Sequence, residues 1–138
     1  MRQASRTLRV DTGGRGFYEI TAHIIGFTRS AGVSEGLLTV FCRHTSASLT
    51  ITENADPDVL RDLDAFLARI APENAGYLHD AEGPDDMPAH IRAALTQTQL
   101  SIPVIGGAPA LGAWQGVFLI EHRRRPHRRE VALHLIGD

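Results

Sequence analysis

Two hydrophobic periods share this chain. Leu8 and Val10 alternate with polar neighbours, which predicts a first strand, and Gly13, Gly14 and Gly16 predict a flexible turn after it. Residues 17–31, FYEITAHIIGFTRSA, place Ile20, Ile24 and Phe27 at helical spacing, so a short strand is expected to run into a helix. LLTVFC at 37–42 predicts a buried strand, and SLTIT at 48–52 alternates as the next one.

Asp56 followed by Pro57 marks a helix start, with an acceptor at the cap and a proline at the first helical position. Val59, Leu63, Phe66, Leu67 and Ile70 then form one apolar face, and Pro72 ends the helix. Residues 73–90 carry glycine, proline and acids without apolar periodicity, which predicts a long loop; Pro88 is placed to open a helix running to about Leu95. LSIPVI, WQGVFLIEH and EVALHLIG predict three late strands, with RRRPHRR turning between the last two. Runs of strand and helix without regular alternation point to an α+β fold: a single compact domain over residues 1–138, its sheet antiparallel or mixed and its helices packed on one side.

Composition narrows the class. With 138 residues the chain has room for one well-filled core but not two. The single cysteine, Cys42, excludes an internal disulfide framework and fits a reducing compartment, so a cytoplasmic location is expected. Nothing approaches the roughly 20 consecutive apolar residues of a membrane span. A net charge of −2 gives no reason to expect nucleic-acid binding.

Four stretches carry candidate chemistry. In FCRHTSASLTITENADPDV at 41–59, His44 follows a buried strand, and the hydroxyls of Thr45, Ser46 and Ser48 come next. Those hydroxyls either donate to a phosphate or satisfy the local backbone of a polar strand end. In the long loop, His79 and His90 flank Asp80, Glu82, Asp85 and Asp86. Imidazole with carboxylate suits zinc or manganese and carboxylates alone suit magnesium; the alternative is a solvated acidic loop. Glu121 and His122 are adjacent on a strand, so their side chains are expected on opposite faces. The five arginines of residues 123–129 either clamp phosphates or form a solvated turn.

Taken together, HTSASLTITENADPDV, EGPDDMPAHI, SIPVIGGAPALGAWQGVFLIEHR and RREVALHLIG resemble the YjbQ-like family, from about Arg6 to Gly137. The resemblance implies a sandwich-like α+β domain, a homotrimer, metal binding through histidines and a secondary thiamine-phosphate synthase activity. That reaction joins a hydroxymethylpyrimidine diphosphate to a thiazole phosphate and releases pyrophosphate. Carried over by position, His44, His79 and His90 are the expected metal ligands, for zinc or magnesium. His44, Glu53 and Asp85 are the expected catalytic groups. Thr45, Ser46, Asn54, Trp114, Gln115 and Arg129 are expected to hold substrate or phosphate. A metal-dependent hydrolase of a small phosphorylated or amide metabolite is the competing expectation, and a non-catalytic metabolite- or metal-binding protein is the third.

Overall fold

The computed structural model describes residues 1–138. It contains β1 (Arg2–Thr12), β2 (Gly16–Glu19), α1 (Thr21–Ala31), β3 (Gly36–Cys42), β4 (Ala47–Glu53), α2 (Pro57–Ile70), α3 (Asp86–Leu95), β5 (Gln99–Ile105), β6 (Ala108–Pro109), β7 (Gln115–Glu121) and β8 (His127–Gly137). A five-stranded sheet runs β1-β8-β3-β5-β6 and a three-stranded sheet runs β2-β7-β4, with every pairing antiparallel. The fold is the expected α+β single domain. No helix is long and apolar enough to cross a membrane.

The core lies between the two sheets. Leu38 and Val40 of β3, Leu100, Ile102 and Val104 of β5, and Val131, Leu133 and Leu135 of β8 face Leu49 of β4 and Val117 and Leu119 of β7. Ile24 and Phe27 of α1 join the same cluster. Strand alternation sends the intervening residues of the smaller sheet to its outer face, among them Ser48, Thr50, Phe118 and Ile120. Cys42 packs as a small apolar residue, and burial pushes its thiol pKa up.

Three elements differ from the sequence expectation in extent. β1 is eleven residues long and pairs with β8 throughout, yet most of its side chains are exposed. An edge strand of this kind leaves little alternation to read. β8 begins at His127 rather than Glu130, so the arginine-rich turn is shorter than expected. Helix α3 begins at Asp86, two residues before Pro88. Proline is tolerated there because the first N–H groups of a helix have no intrahelical partner; the first main-chain bond, Ala89 N–H to the Asp85 carbonyl, follows the ring.

Helix α2 starts as expected, with the Asp56 carboxylate accepting from the Asp58 N–H at 2.9 Å and Pro57 next to it. Its apolar face is only partly covered: Leu67 is buried while Phe66 is 50% exposed. Below that face lies a cavity of about 430 Å³, floored by Phe17, Thr50 and Ile120.

Candidate metal centre

The early start of α3 puts Asp86 and His90 one turn apart on the same helix face. The preceding loop brings His79 to the same place. The His79 and His90 Nε2 atoms stand 2.6 and 3.2 Å from Asp86 Oδ2. The ligand atoms of all three residues lie within 4.8 Å of one another. Gly83 makes the loop possible: its φ is +101°, and a Cβ there would meet Asp85 Oδ1 at 3.2 Å.

Arg123 anchors the acids. Its Nη1 donates to Asp86 Oδ1 at 2.7 Å and its Nε to Asp85 Oδ2 at 3.0 Å. The Arg124 N–H also donates to Asp85 Oδ2 at 3.0 Å. Burial alone would raise the Asp86 pKa, but the hydrogen bond to His79 and the charges of His90 and Arg123 outweigh it and hold the carboxyl below its ordinary range. Asp85 is likewise lowered, burial being outweighed by Arg123 and the Arg124 N–H. Asp86 Oδ1 is thus taken by Arg123, while Oδ2 faces two imidazole nitrogens.

This donor set fits a cation. The His90 Nδ1 donates to the Thr45 carbonyl at 2.9 Å, so in the neutral ring Nε2 carries a lone pair pointed at a carboxylate oxygen. A shared positive charge at that point satisfies both groups. Two nitrogens and one oxygen suit zinc, manganese or iron, whereas magnesium favours oxygen alone. The His90–Thr45 bond is the kind of outer contact that fixes a ligand's tautomer.

Of the three histidines expected to share an ion, His79 and His90 come together, and Asp86 stands in the third place. His44 does not join them: its Nε2 accepts the Glu130 N–H at 2.7 Å, because the chain leaving β3 continues beside β8. Burial and the charge of Arg129 lower its pKa. It does line, with Arg43, Thr45 and His90, a cavity of about 640 Å³. His79 lines a separate hollow of about 320 Å³ with Glu73, Asp80 and Met87.

Arg129 was expected at a phosphate. The structure instead buries it in the end of the core, because residues 129, 131, 133 and 135 of β8 all face inward. Its Nε and Nη2 donate to Glu121 Oε1 and Oε2 at 2.8 and 2.5 Å, and Nη2 donates also to Ser46 Oγ at 3.0 Å. Thr12 donates to the same Glu121 at 2.7 Å. Ser46 is buried in this network, whereas Thr45 is exposed. Glu121 and His122 do point to opposite faces: His122 Nε2 pairs with Ser48 Oγ at 2.8 Å on the outer side.

Glu53, Asn54, Trp114 and Gln115 form a second group. They lie at the far end of β4 and β7, about 20 Å from the Ala47 end at the usual rise per strand residue. Glu53 accepts from the Asp56 N–H at 3.2 Å and Asn54 donates to Glu19 at 3.0 Å. Gln115 accepts from the Gly112 N–H at 2.7 Å, and Trp114 is exposed. Within one chain these residues and the histidine group do not meet.

Asp86 and Arg123 belong to the candidate centre, and the sequence left both unselected. The signal for Asp86 was its four-residue spacing from His90, hidden by starting the helix at Pro88. Arg123 had no signal that set it apart from the four arginines after it.

The family model described as "UPF0047 protein YjbQ-like" matches residues 6–138. A UPF0047 protein of Synechocystis sp. is 53% identical, covering 99% of this chain and 94% of its own. The UPF0047 protein YjbQ of Escherichia coli O157:H7 is 41% identical, covering 96% and 97%. A crystal structure of an uncharacterised YjbQ/UPF0047 protein from Clostridium acetobutylicum superposes with a TM-score of 0.82 at 36% identity, covering 96% of this chain and 99% of its own. A YbjQ-like protein of unknown function from Sulfolobus solfataricus P2 reaches 0.88 at 17% identity over 99% of both chains, a likeness of fold. With the match spanning all but the first five residues, this chain belongs to the YjbQ-like UPF0047 family.

Proposed function

We propose that the protein is a metal-dependent enzyme of small phosphorylated metabolites, with hydrolysis as its reaction. The observation that carries this reading is the convergence of His79, Asp86 and His90. A zinc- or manganese-type ion on these ligands would act as a Lewis acid and lower the pKa of a bound water. The chain's own groups have separable tasks. Arg123 orients Asp86, and the Thr45 carbonyl orients His90. His44, neutral and with Nε2 engaged by Glu130, keeps its Nδ1–H as a donor in the wall of the 640 Å³ cavity. Thr45 and Arg43, the latter paired with Glu130 at 3.0 Å, line the same space.

Thiamine-phosphate synthesis is the second reading, favoured by a cavity large enough for a drug-sized ligand. Departure of pyrophosphate needs free cations beside the diphosphate. Arg123 and Arg129 are engaged by carboxylates, which is why hydrolysis stands first. All three ligands come from one chain, so metal binding is independent of the proposed homotrimer.

The test is a panel of phosphate monoesters and diphosphates offered to zinc- or manganese-loaded protein, with hydroxymethylpyrimidine diphosphate plus thiazole phosphate as a separate arm. Phosphate release that disappears in His90→Ala supports the first reading, and thiamine phosphate formation the second. Turnover that persists undiminished in metal-stripped protein would refute both.

A further inference from the structure

Arg92, in the last turn of α3, is only 3% exposed. Its Nε is enclosed without a hydrogen-bond partner. The carboxylate paired with it, Asp64 Oδ1 of α2, is 3.8 Å from Nη1, beyond a hydrogen bond, and Asp64 is largely solvated. A guanidinium carries five donors, and burying its charge without acceptors is costly. Apart from the solvated Asp64, the charged groups that bear on Arg92 add no negative charge. Arg15 contributes a second positive charge, and the buried His122 is held neutral beside both arginines. Glu73, near Arg15, is shared with Arg124.

The position is separate from the histidine group. Arg92 follows His90 by two residues, about 200° around the helix, so it faces the three-stranded sheet instead. The segments around it are those that line the apolar cavity under α2. Thr96, one turn on, lines that cavity with Phe17, Leu63 and Ile120. Arg15 precedes Phe17 by two residues, Asp64 follows Leu63, and His122 follows Ile120 by two on the same strand face. These neighbours place Arg92 and Arg15 next to one end of the apolar slot of about 430 Å³, although neither arginine is among the residues that line it.

We propose that Arg92, with Arg15, forms the head-group end of a second ligand site. Its ligand is a small molecule with an oxyanion, phosphate or carboxylate, and an apolar body lying between α2 and the outer face of the three-stranded sheet. This inference does not depend on the metal-centre reading.

Calorimetric titration of metal-stripped protein with phenyl phosphate and, separately, benzoate distinguishes the two head groups; phenol is the uncharged control. At least one anion should bind and raise the melting temperature, while phenol should not. Arg92→Met should weaken that binding by about 10- to 100-fold, as expected for hydrogen bonds to a charged group. The same variant should melt higher than the parent without ligand, since a buried charge whose counter-ion is a solvated carboxylate at 3.8 Å is gone. Arg15→Gln, at a more exposed position, should weaken binding while leaving folding intact. The proposal is overturned if neither anion binds, if Arg15→Gln and Arg92→Met bind as the parent does, or if Arg92→Met melts lower without ligand.

Discussion

The His90 imidazole donates its Nδ1–H to the Thr45 carbonyl at 2.9 Å, which leaves its Nε2 facing Asp86 Oδ2 at 3.2 Å. The helix that carries His90 is thereby tied to the chain between β3 and β4, and one tautomer is selected. As a metal ligand, a nitrogen held this way would be oriented before any metal arrives.

The first prediction follows from that geometry. His90→Ala and Asp86→Asn should each weaken zinc or manganese binding by at least about 100-fold, read by elemental analysis and competition with a chromophoric chelator. His44→Ala should keep the full metal content, because its ring is bonded to the Glu130 N–H outside the group. Equal loss of metal in all three variants would contradict this division. Affinity should also fall in acid, as the imidazoles must be deprotonated to bind.

A second prediction concerns His122, whose pKa is pushed down to about 3 by burial first and by Arg92 next. The unfolded chain titrates it near 6.5. A depressed folded pKa means that its contribution is complete above about pH 6.5 and is lost as pH falls toward 3. Stability should drop by roughly 1 kcal/mol per pH unit through that window. The lowered carboxyls of Asp85, Asp86 and Glu121 act in the same direction but only below about pH 4. Urea unfolding of His122→Gln between pH 7 and 5 should therefore be flatter than that of the parent. Parallel slopes would show that His122 is not the group responsible.

The contrast between these histidines shows what a sequence can reveal. The core strands were legible because LLTVFC, LSIPVI and VALHL bury alternate residues on one face. Helix α2 was legible from Asp56, Pro57 and its apolar stripe, although the stripe gave no sign that Phe66 would be half exposed. The opposite facing of Glu121 and His122 followed from strand period alone. The partners did not follow. Arg129 and Glu121 come together because β8 and β7 lie in facing sheets, a relation that no local spacing encodes. His44 and His90 share a cavity wall across 46 positions of sequence, yet a single main-chain N–H decides that His44 points elsewhere.

Two glycines provide a third prediction, read by equilibrium unfolding. Gly137 of β8 lies opposite Gly36 of β3, and a Cβ there would come within 2.0 Å of the Glu35 carbonyl oxygen and 2.6 Å of the Gly36 Cα. The backbone of Glu35 and Gly36 cannot yield as a side chain would, so Gly137→Ala should cost at least about 1–3 kcal/mol. Gly26, inside α1, has nothing within 4 Å of the same atom. Gly26→Ala should stabilise by about 0.5–1 kcal/mol through helix propensity. Similar outcomes for the two substitutions would be inconsistent with this packing.

The last prediction separates a phosphate clamp from a structural ion pair at Arg129. Arg129 is 4% exposed and gives four donor contacts to Glu121 and Ser46, with Thr12 closing the network. Removing one partner strands the other charge in the core, so Arg129→Met should destabilise by about 3–5 kcal/mol. Glu121→Gln alone should also destabilise, whereas the double variant Arg129→Met/Glu121→Met should recover much of the loss, because two apolar groups leave no charge unpaired. A phosphate-binding arginine would behave differently: its loss would change affinity for a phosphorylated ligand with little change in the unliganded protein's unfolding. Measuring both quantities on the single and double variants decides between the roles. The Glu121 contacts predict a large coupling in the unfolding cycle.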